Sequence, residues 1–426
     1  MPKAFSIRSG GSPADRALVP AADADHHCES RHDLSRRAFL GTTGMLFAWA
    51  AAPRLARAEG RDPRLLVVVL RGALDGLSFA APVGDPAYAG LRGAIALQAS
   101  GDNAARQLDG FFALHPAMPQ LHGLYQAKQA VIVHAVASPY RERSHFDGQD
   151  LLESGTEKLG FHDSGWLNRA LQTLAPGDRI ARRPAIGVGP LVPLVARGRA
   201  PVMAWQPQTL PPAGDDLSNR LIALYRHTDP ALAEILERRA DRDVGKVTTE
   251  GARRQTAYVV QALTGAASFL ARPDGPRVGA LALDGFDTHA NEGGATGQLA
   301  NRLAAIDQAL GEARTILGPA WNETVIAFVT EFGRTARVNG TEGTDHGTAT
   351  VAVLAGGAVK GGRVVADWPG LAPADLHEGR DLKPTTDLRA VLKGVLRDHL
   401  AADPRQLAET VFPGSLAIRP MDGLIG

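Results

Sequence analysis

The chain has 426 residues, enough for a large hydrophobic core or for two domains. Hydrophobic residues make up 44% and charged residues 21%, the balance of an ordinary globular protein. With 46 basic against 45 acidic side chains, nothing is basic enough to point to nucleic acid as a partner.

Residues 1–58 read as a leader and an export signal. In "SRRAFLGTTGMLFAWAAAPRLARAEG" (35–60), Arg36 and Arg37 precede an apolar stretch, and Ala-Arg-Ala precedes Glu59. The arginine pair followed by Phe39 and Leu40 looks like a twin-arginine signal. The apolar stretch, Ala38 to Ala52, is too short and too rich in Gly and Thr for a stable membrane span. The expectation is a periplasmic or extracellular protein that meets the twin-arginine translocase during export. Cleavage after Ala58 would also remove Cys28, the only cysteine. Any metal must then be held by Asp, Glu, His or other oxygen and nitrogen ligands.

Five short runs downstream read as buried parallel strands, being continuous and β-branched rather than alternating. They are "LLVVVL" (65–70), "AVIVHAV" (130–136), "GALAL" (279–283), "TVIAFVT" (324–330) and "TATVAVLAG" (348–356). Helical patterns lie between or after them. In residues 297–317, Leu299, Leu303, Ile306, Leu310, Ala313 and Leu317 recur at threes and fours, so one face is apolar. "DLRAVLKGVLRDHL" (387–400) behaves similarly, with its acid first and its bases later. This alternation implies an α/β fold with a doubly wound, mostly parallel sheet, here assigned to one domain over 62–420. Residues 184–214 are rich in Pro and Gly and lead into further helical patterns, read as a helical insertion over roughly 196–275.

In such sheets, ligands sit outside the carboxyl ends of the strands. Asp75 follows the first run, and Ser144, His145 and Asp147 follow the second. Asp287 and His289 follow the third; Glu331 ends the fourth, with Asp345 and His346 in the next connection. An aspartate at one strand end is ordinarily a turn or helix-cap residue. Several acids and histidines delivered to one edge are another matter, because packed carboxylates repel unless a cation sits between them. Zn, Mn, Mg or Ca would suit such ligands, depending on their mix. Ser144 suits the N-cap of a helix through "HFDGQDLLE", whose N-terminus would favour phosphate or sulfate. Arg141, Arg143 and Arg334 would add positive charge there, and a serine so placed near a metal could be a nucleophile.

"VVVLRGALDGLSFAAPVGDPAY", "RSHFDGQDLLESG", "GFDTHANEG" and "TEFGRTARVNGTEGTDHGTATVAVLAGGAVKGG", in this order, resemble the exported bacterial family called domain of unknown function 1501. That family resembles the alkaline phosphatase and sulfatase superfamily in fold. The resemblance implies metal ligands at Asp75, Asp287, His289, Glu331 and His346, with Asp345 beside them. It implies a nucleophile segment at Ser144 or His145, or a water in place of the serine, and one or two divalent ions. Phe332 stands where the superfamily has a histidine. The function implied is metal-dependent hydrolysis of a small anionic phosphate or sulfate ester, or of an envelope-derived substrate. The alternative is a catalytically silent binding or scaffold protein that keeps the fold.

Overall fold

Every residue of the first strand, β1 (Arg64–Leu70), is buried, and the reason lies in what covers it. Leu66, Val68 and Leu70 join one hydrophobic cluster, while Leu65, Val67 and Val69 join a second. Side chains alternate across a strand, so an uninterrupted apolar run requires cover on both faces. The structure, a computed structural model, describes residues 61–160, 162–175, 180, 183–208, 215–234 and 249–426. The leader and export signal read at 1–58 lie outside the described residues.

In chain order, β1 is followed by the single turn α1 (Gly76–Phe79), α2 (Pro119–Gln126), β2 (Ala130–Ala137), α3 (His145–Ser154) and α4 (Trp166–Thr173). Next come β3 (Ala185–Val188), β4 (Val202–Trp205), α5 (Asp215–Thr228), α6 (Thr249–Ala271), β5 (Val278–Leu283) and α7 (Gln298–Leu317). The chain continues through β6 (Thr324–Val329), β7 (Thr350–Ala355), β8 (Arg363–Val365), β9 (Thr386–Asp387) and α8 (Leu388–Leu400). Among the described residues these strands form one nine-stranded sheet in the order β8-β2-β7-β6-β1-β5-β3-β4, with β9 paired to β2. β1 lies between β5 and β6 and is parallel to both. α6, α7 and α2 cover one face, and α4 and α8 cover the other. The sheet is thus mostly parallel and helix-covered on both sides.

Two expectations change. The strand read from "TATVAVLAG" is present as β7, but it runs antiparallel to both β6 and β2. A parallel return needs a crossover, usually a helix, and residues 330–349 contain none. Within residues 196–275, read as a possible helical insertion, the described elements β4 and α6 take part in the sheet and its cover. β4 pairs with β3 at the sheet edge. Tyr258, Ala262, Leu263, Ala266 and Leu270 of α6 are buried in the same cluster as Leu299, Leu303 and Leu310 of α7. Among the described residues no helix is long and apolar enough to cross a membrane.

Two core histidines make the fold sensitive to acid. His134 in β2 accepts from the Ala135 N–H through Nδ1 (2.8 Å) and donates through Nε2 to the Ala80 carbonyl (3.0 Å). His399 in α8 donates to the Arg64 carbonyl (2.9 Å), and its Nδ1 is buried without a partner. Burial pushes both down to about 4 from the ordinary 6.5. A lowered folded pKa contributes stability that is complete above pH 6.5 and is lost as pH falls towards 4. Each histidine is worth roughly 3 kcal/mol over that window. Urea unfolding should therefore show stability falling steeply below pH 6, and His399→Leu should flatten the slope by about one proton.

Candidate metal centre

β1, β5, β6 and β2 point the same way, so the loops leaving them open on one edge of the sheet. β7 runs against them, so the segment that enters it arrives at that same edge. This is how His346, four residues before β7, meets Asp287 and His289 from the loop after β5. His145 comes from a third direction, as the first residue of α3. Arg143, at φ 60°, turns the chain just ahead of it. Ser144 occupies the N-cap position with extended backbone, but its side chain makes no capping hydrogen bond.

His346 is the hub. Its Nε2 lies 2.9 Å from Nε2 of His145, 2.9 Å from Nε2 of His289 and 3.2 Å from Oδ1 of Asp287. Asp287 Oδ1 is also 3.0 Å from His289 Nε2 and 3.4 Å from His145 Nε2. The other nitrogen of each ring faces an acceptor. His145 Nδ1 is 2.8 Å from Glu331, His289 Nδ1 is 3.3 Å from Asp345, and His346 Nδ1 is 2.9 Å from the Arg143 carbonyl. Three Nδ1–H groups are thereby spoken for, which assigns the Nε2 lone pairs to the common centre. Lone pairs facing at such range repel unless a proton or a cation lies among them.

The donor set fits a divalent ion. His145, Asp287 and His346 each present one ligand atom, all within 4.8 Å of one another. Ligand atoms about 2.0 Å from a tetrahedral zinc stand about 3.3 Å apart, close to the 2.9, 3.2 and 3.4 Å among these three atoms; His289 flanks them through His346 and Asp287. Phe332 stacks on the His145 ring, with centroids 5.0 Å apart and planes inclined by 27°. It packs behind an imidazole supplied by α3.

The electrostatics suit that role. Burial would lower His145, but the carboxylates of Asp287 and Glu331 outweigh it and raise the imidazole to about 9. A proton held there takes the place of a cation in the metal-free protein. His346 is lowered by burial and by the positive charges of His145 and Arg334, against the pull of Asp287. Burial would raise Asp287, yet hydrogen bonds from the three histidines and the charge of Arg334 hold it far below the usual carboxylate range.

Glu331, Asp345, Arg334 and Arg143, also named from the sequence, lie around this centre. Glu331 is wholly buried, and both its oxygens are engaged. Oε1 faces His145 and accepts from the Gly72 N–H (2.8 Å) and the Gln149 amide (3.1 Å), while Oε2 accepts from the Thr330 hydroxyl (2.9 Å). It stands behind His145 rather than in the cluster. Asp345 stands in the same way behind His289. Arg334 donates to Asp287 (2.7 Å) and to the Phe286 carbonyl. The Arg143 guanidinium is taken by Asp381 and Glu378, so only its carbonyl reaches the centre. Asp147 accepts from the Tyr140 hydroxyl (3.2 Å).

Asp75 is placed elsewhere. It caps α1, accepting from the N–H groups of Leu77 and Ser78, and it pairs with the buried Arg92. Glu292 shares that guanidinium at 3.6 Å. Burial and the nearby Asp75 push Glu292 up to about 8. Burial would raise Asp75 too, but Arg92 outweighs it and keeps Asp75 below its ordinary value. A small cleft opens beside His145 and Asp287, lined also by Arg71, Gly72, Gln149, Asp284 and Gly285.

The model of the family described as "Protein of unknown function (DUF1501)" matches residues 62–411. The chain belongs to this family. No curated protein matches it. Among solved structures it is similar to a 2-O GAG sulfatase, at 9% identity over 85% of this chain and 75% of that one, with a TM-score of 0.42. A sulfatase from Pseudoalteromonas sp. is similar at 12% identity over 76% and 68%, TM-score 0.37. A protein of the alkaline phosphatase superfamily from Vibrio parahaemolyticus is similar at 12% identity over 73% and 64%, TM-score 0.35. These are distant likenesses of fold, and they say nothing of activity in this family member.

Proposed function

We propose that this member of the family is an exported metal-dependent hydrolase of phosphate or sulfate esters. The observation that carries the reading is the meeting of three imidazole Nε2 atoms with Asp287 Oδ1, each ring fixed from behind by its own acceptor. A set of three imidazoles and one carboxylate favours zinc over magnesium or calcium, which prefer oxygen ligands. Export rests on the arginine pair, apolar stretch and small-residue site of the first 58 residues.

His145, Asp287, His289 and His346 would hold the ion, with Glu331, Asp345 and the Arg143 carbonyl fixing the ring orientations. The ion, when bound, supplies charge that polarises an ester and lowers the pKa of a neighbouring hydroxyl or water. Ser144 adjoins His145 at the start of α3 and is the nucleophile on this reading; a water in the cleft is the alternative. The N-terminal turn of α3, uncapped by Ser144, favours the anionic end of the substrate.

One observation favours the second reading, a catalytically silent binding or scaffold protein. Two of the arginines read from the sequence as charge for the site are already paired, Arg143 with Glu378 and Asp381 and Arg334 with Asp287. Neither is free to meet transition-state charge. Metal analysis and turnover of the mature protein separate the readings. A hydrolase should carry about one equivalent of zinc and cleave at least one of a phosphomonoester, a phosphodiester or a sulfate ester, with loss on chelation and recovery on adding zinc back. Less than about a tenth of an equivalent, with no turnover of any of the three, would overturn the hydrolase and leave the silent protein.

A further inference from the structure

Asp287 and His289 ride on the loop after β5, and Asp345 and His346 on the loop before β7. These loops are stitched together. Asn291 N–H donates to the Thr341 carbonyl (2.9 Å), Glu292 N–H to the Glu342 carbonyl (3.0 Å) and Thr344 N–H to the Thr288 carbonyl (3.1 Å). Beneath the stitching lies the wholly buried side chain of Glu292. Its Oε2 accepts from the hydroxyls of Thr288 (2.9 Å) and Thr344 (2.7 Å), one from each loop. Its Oε1 accepts from the Ser78 hydroxyl (3.1 Å) and lies 3.6 Å from Arg92, which is anchored to Asp75.

The spacing gives this network a consequence. Thr288 sits between Asp287 and His289, and Thr344 immediately precedes Asp345 and His346. In each loop the threonine faces Glu292, while its neighbours face the cluster of imidazoles. One carboxylate oxygen therefore fixes, through two hydroxyls, the distance between the loops that carry His289 and His346.

We infer that Glu292 is a positioning residue for the metal centre, a strap that sets the separation of Asp287 and His289 from His346 by gripping Thr288 and Thr344. The inference rests on the metal-centre reading above. It makes Asp75 and Arg92 part of the same support: they hold the lower end of the strap and ligate nothing.

Cobalt(II) and zinc binding to the metal-free full-length protein tests it, read by visible absorption and by competition with a chelating dye. Thr344→Val keeps the shape and removes the hydroxyl; it should weaken both metals about tenfold or more and alter the cobalt spectrum. Thr344→Ser restores the hydroxyl and should restore affinity and spectrum. Thr288→Val cuts the other end of the strap and should act like Thr344→Val, which keeps the test open if one variant does not fold. Thr344→Val and Thr288→Val that bind cobalt with native affinity and spectrum, even at a lowered melting temperature, would overturn the strap while leaving the metal centre intact. A wild-type protein that binds neither metal would overturn the centre itself, and the strap with it.

Discussion

Asp287→Ala is expected to abolish metal binding and to destabilise the metal-free fold by about 3–5 kcal/mol. The two losses have separate causes. Asp287 Oδ1 lies against the Nε2 atoms of His145, His289 and His346, so on the metal-centre reading its removal takes away a ligand and the negative charge that offsets the ion. The same oxygen accepts from Arg334, whose side chain is wholly buried and whose Nε and Nη1 make no hydrogen bond. Without Asp287 the guanidinium is left buried and uncompensated, the situation that makes breaking such pairs so costly. Asp287→Asn keeps an acceptor and should lose less stability while still binding metal poorly. Adding Arg334→Met to Asp287→Ala should recover stability but not metal. Calorimetric zinc titration and urea unfolding read the two effects apart. Native zinc affinity in Asp287→Ala would remove this aspartate from the centre.

Glu331→Gln should lower metal affinity by about 10–100-fold, the range for groups that orient a ligand from behind. The amide can still accept from Gly72, but it no longer supplies the charge that fixes the Nδ1–H tautomer of His145. Glu331→Ala should also destabilise the protein, because the Gly72 N–H and the Gln149 amide lose their acceptor at roughly 1–3 kcal/mol for each buried group left unpaired. The pH dependence of the metal-free protein carries the same information. His145 is raised from 6.5 to about 9, so the stability it contributes is complete below pH 6.5 and is lost as pH rises towards 9. Glu331→Gln should bring the His145 titration, followed by NMR, down from about 9 and flatten that alkaline decline. An unmoved titration would show that Glu331 does not govern His145.

The strands of the centre of the sheet were legible because burial on both faces writes an unbroken apolar run into the sequence. β3 and β4 were not, since four residues among Pro and Gly carry no usable period. The helical pattern of α6 was visible, but amphipathicity does not say which surface a helix will meet. Placing it in an insertion therefore missed that its buried face belongs to the core. At the site, Asp287, His289 and His346 could be picked out because strand ends converge in this class of fold. Whether Ser144 or His145 faces the centre depends on the register at the start of α3, which the letters leave open. Asp75 occupies the same kind of strand-end position as Asp287. What separates them is Arg92, on a segment with no visible tie to that strand, which supplies Asp75 with a cation of its own. Glu292 gave no signal at all, because its worth comes from two threonine hydroxyls on different loops.

The reversed direction of β7 reaches beyond geometry. Because the hub histidine enters the sheet from that strand, it lies far along the chain, some two hundred residues after His145. A growing polypeptide has no complete chelate until this late segment has left the ribosome and been inserted between β2 and β6. If the proposed centre holds zinc, the ion cannot be fully coordinated before residue 346 is in place, and a fragment ending before that residue should emerge unable to retain zinc however well its first strands assemble.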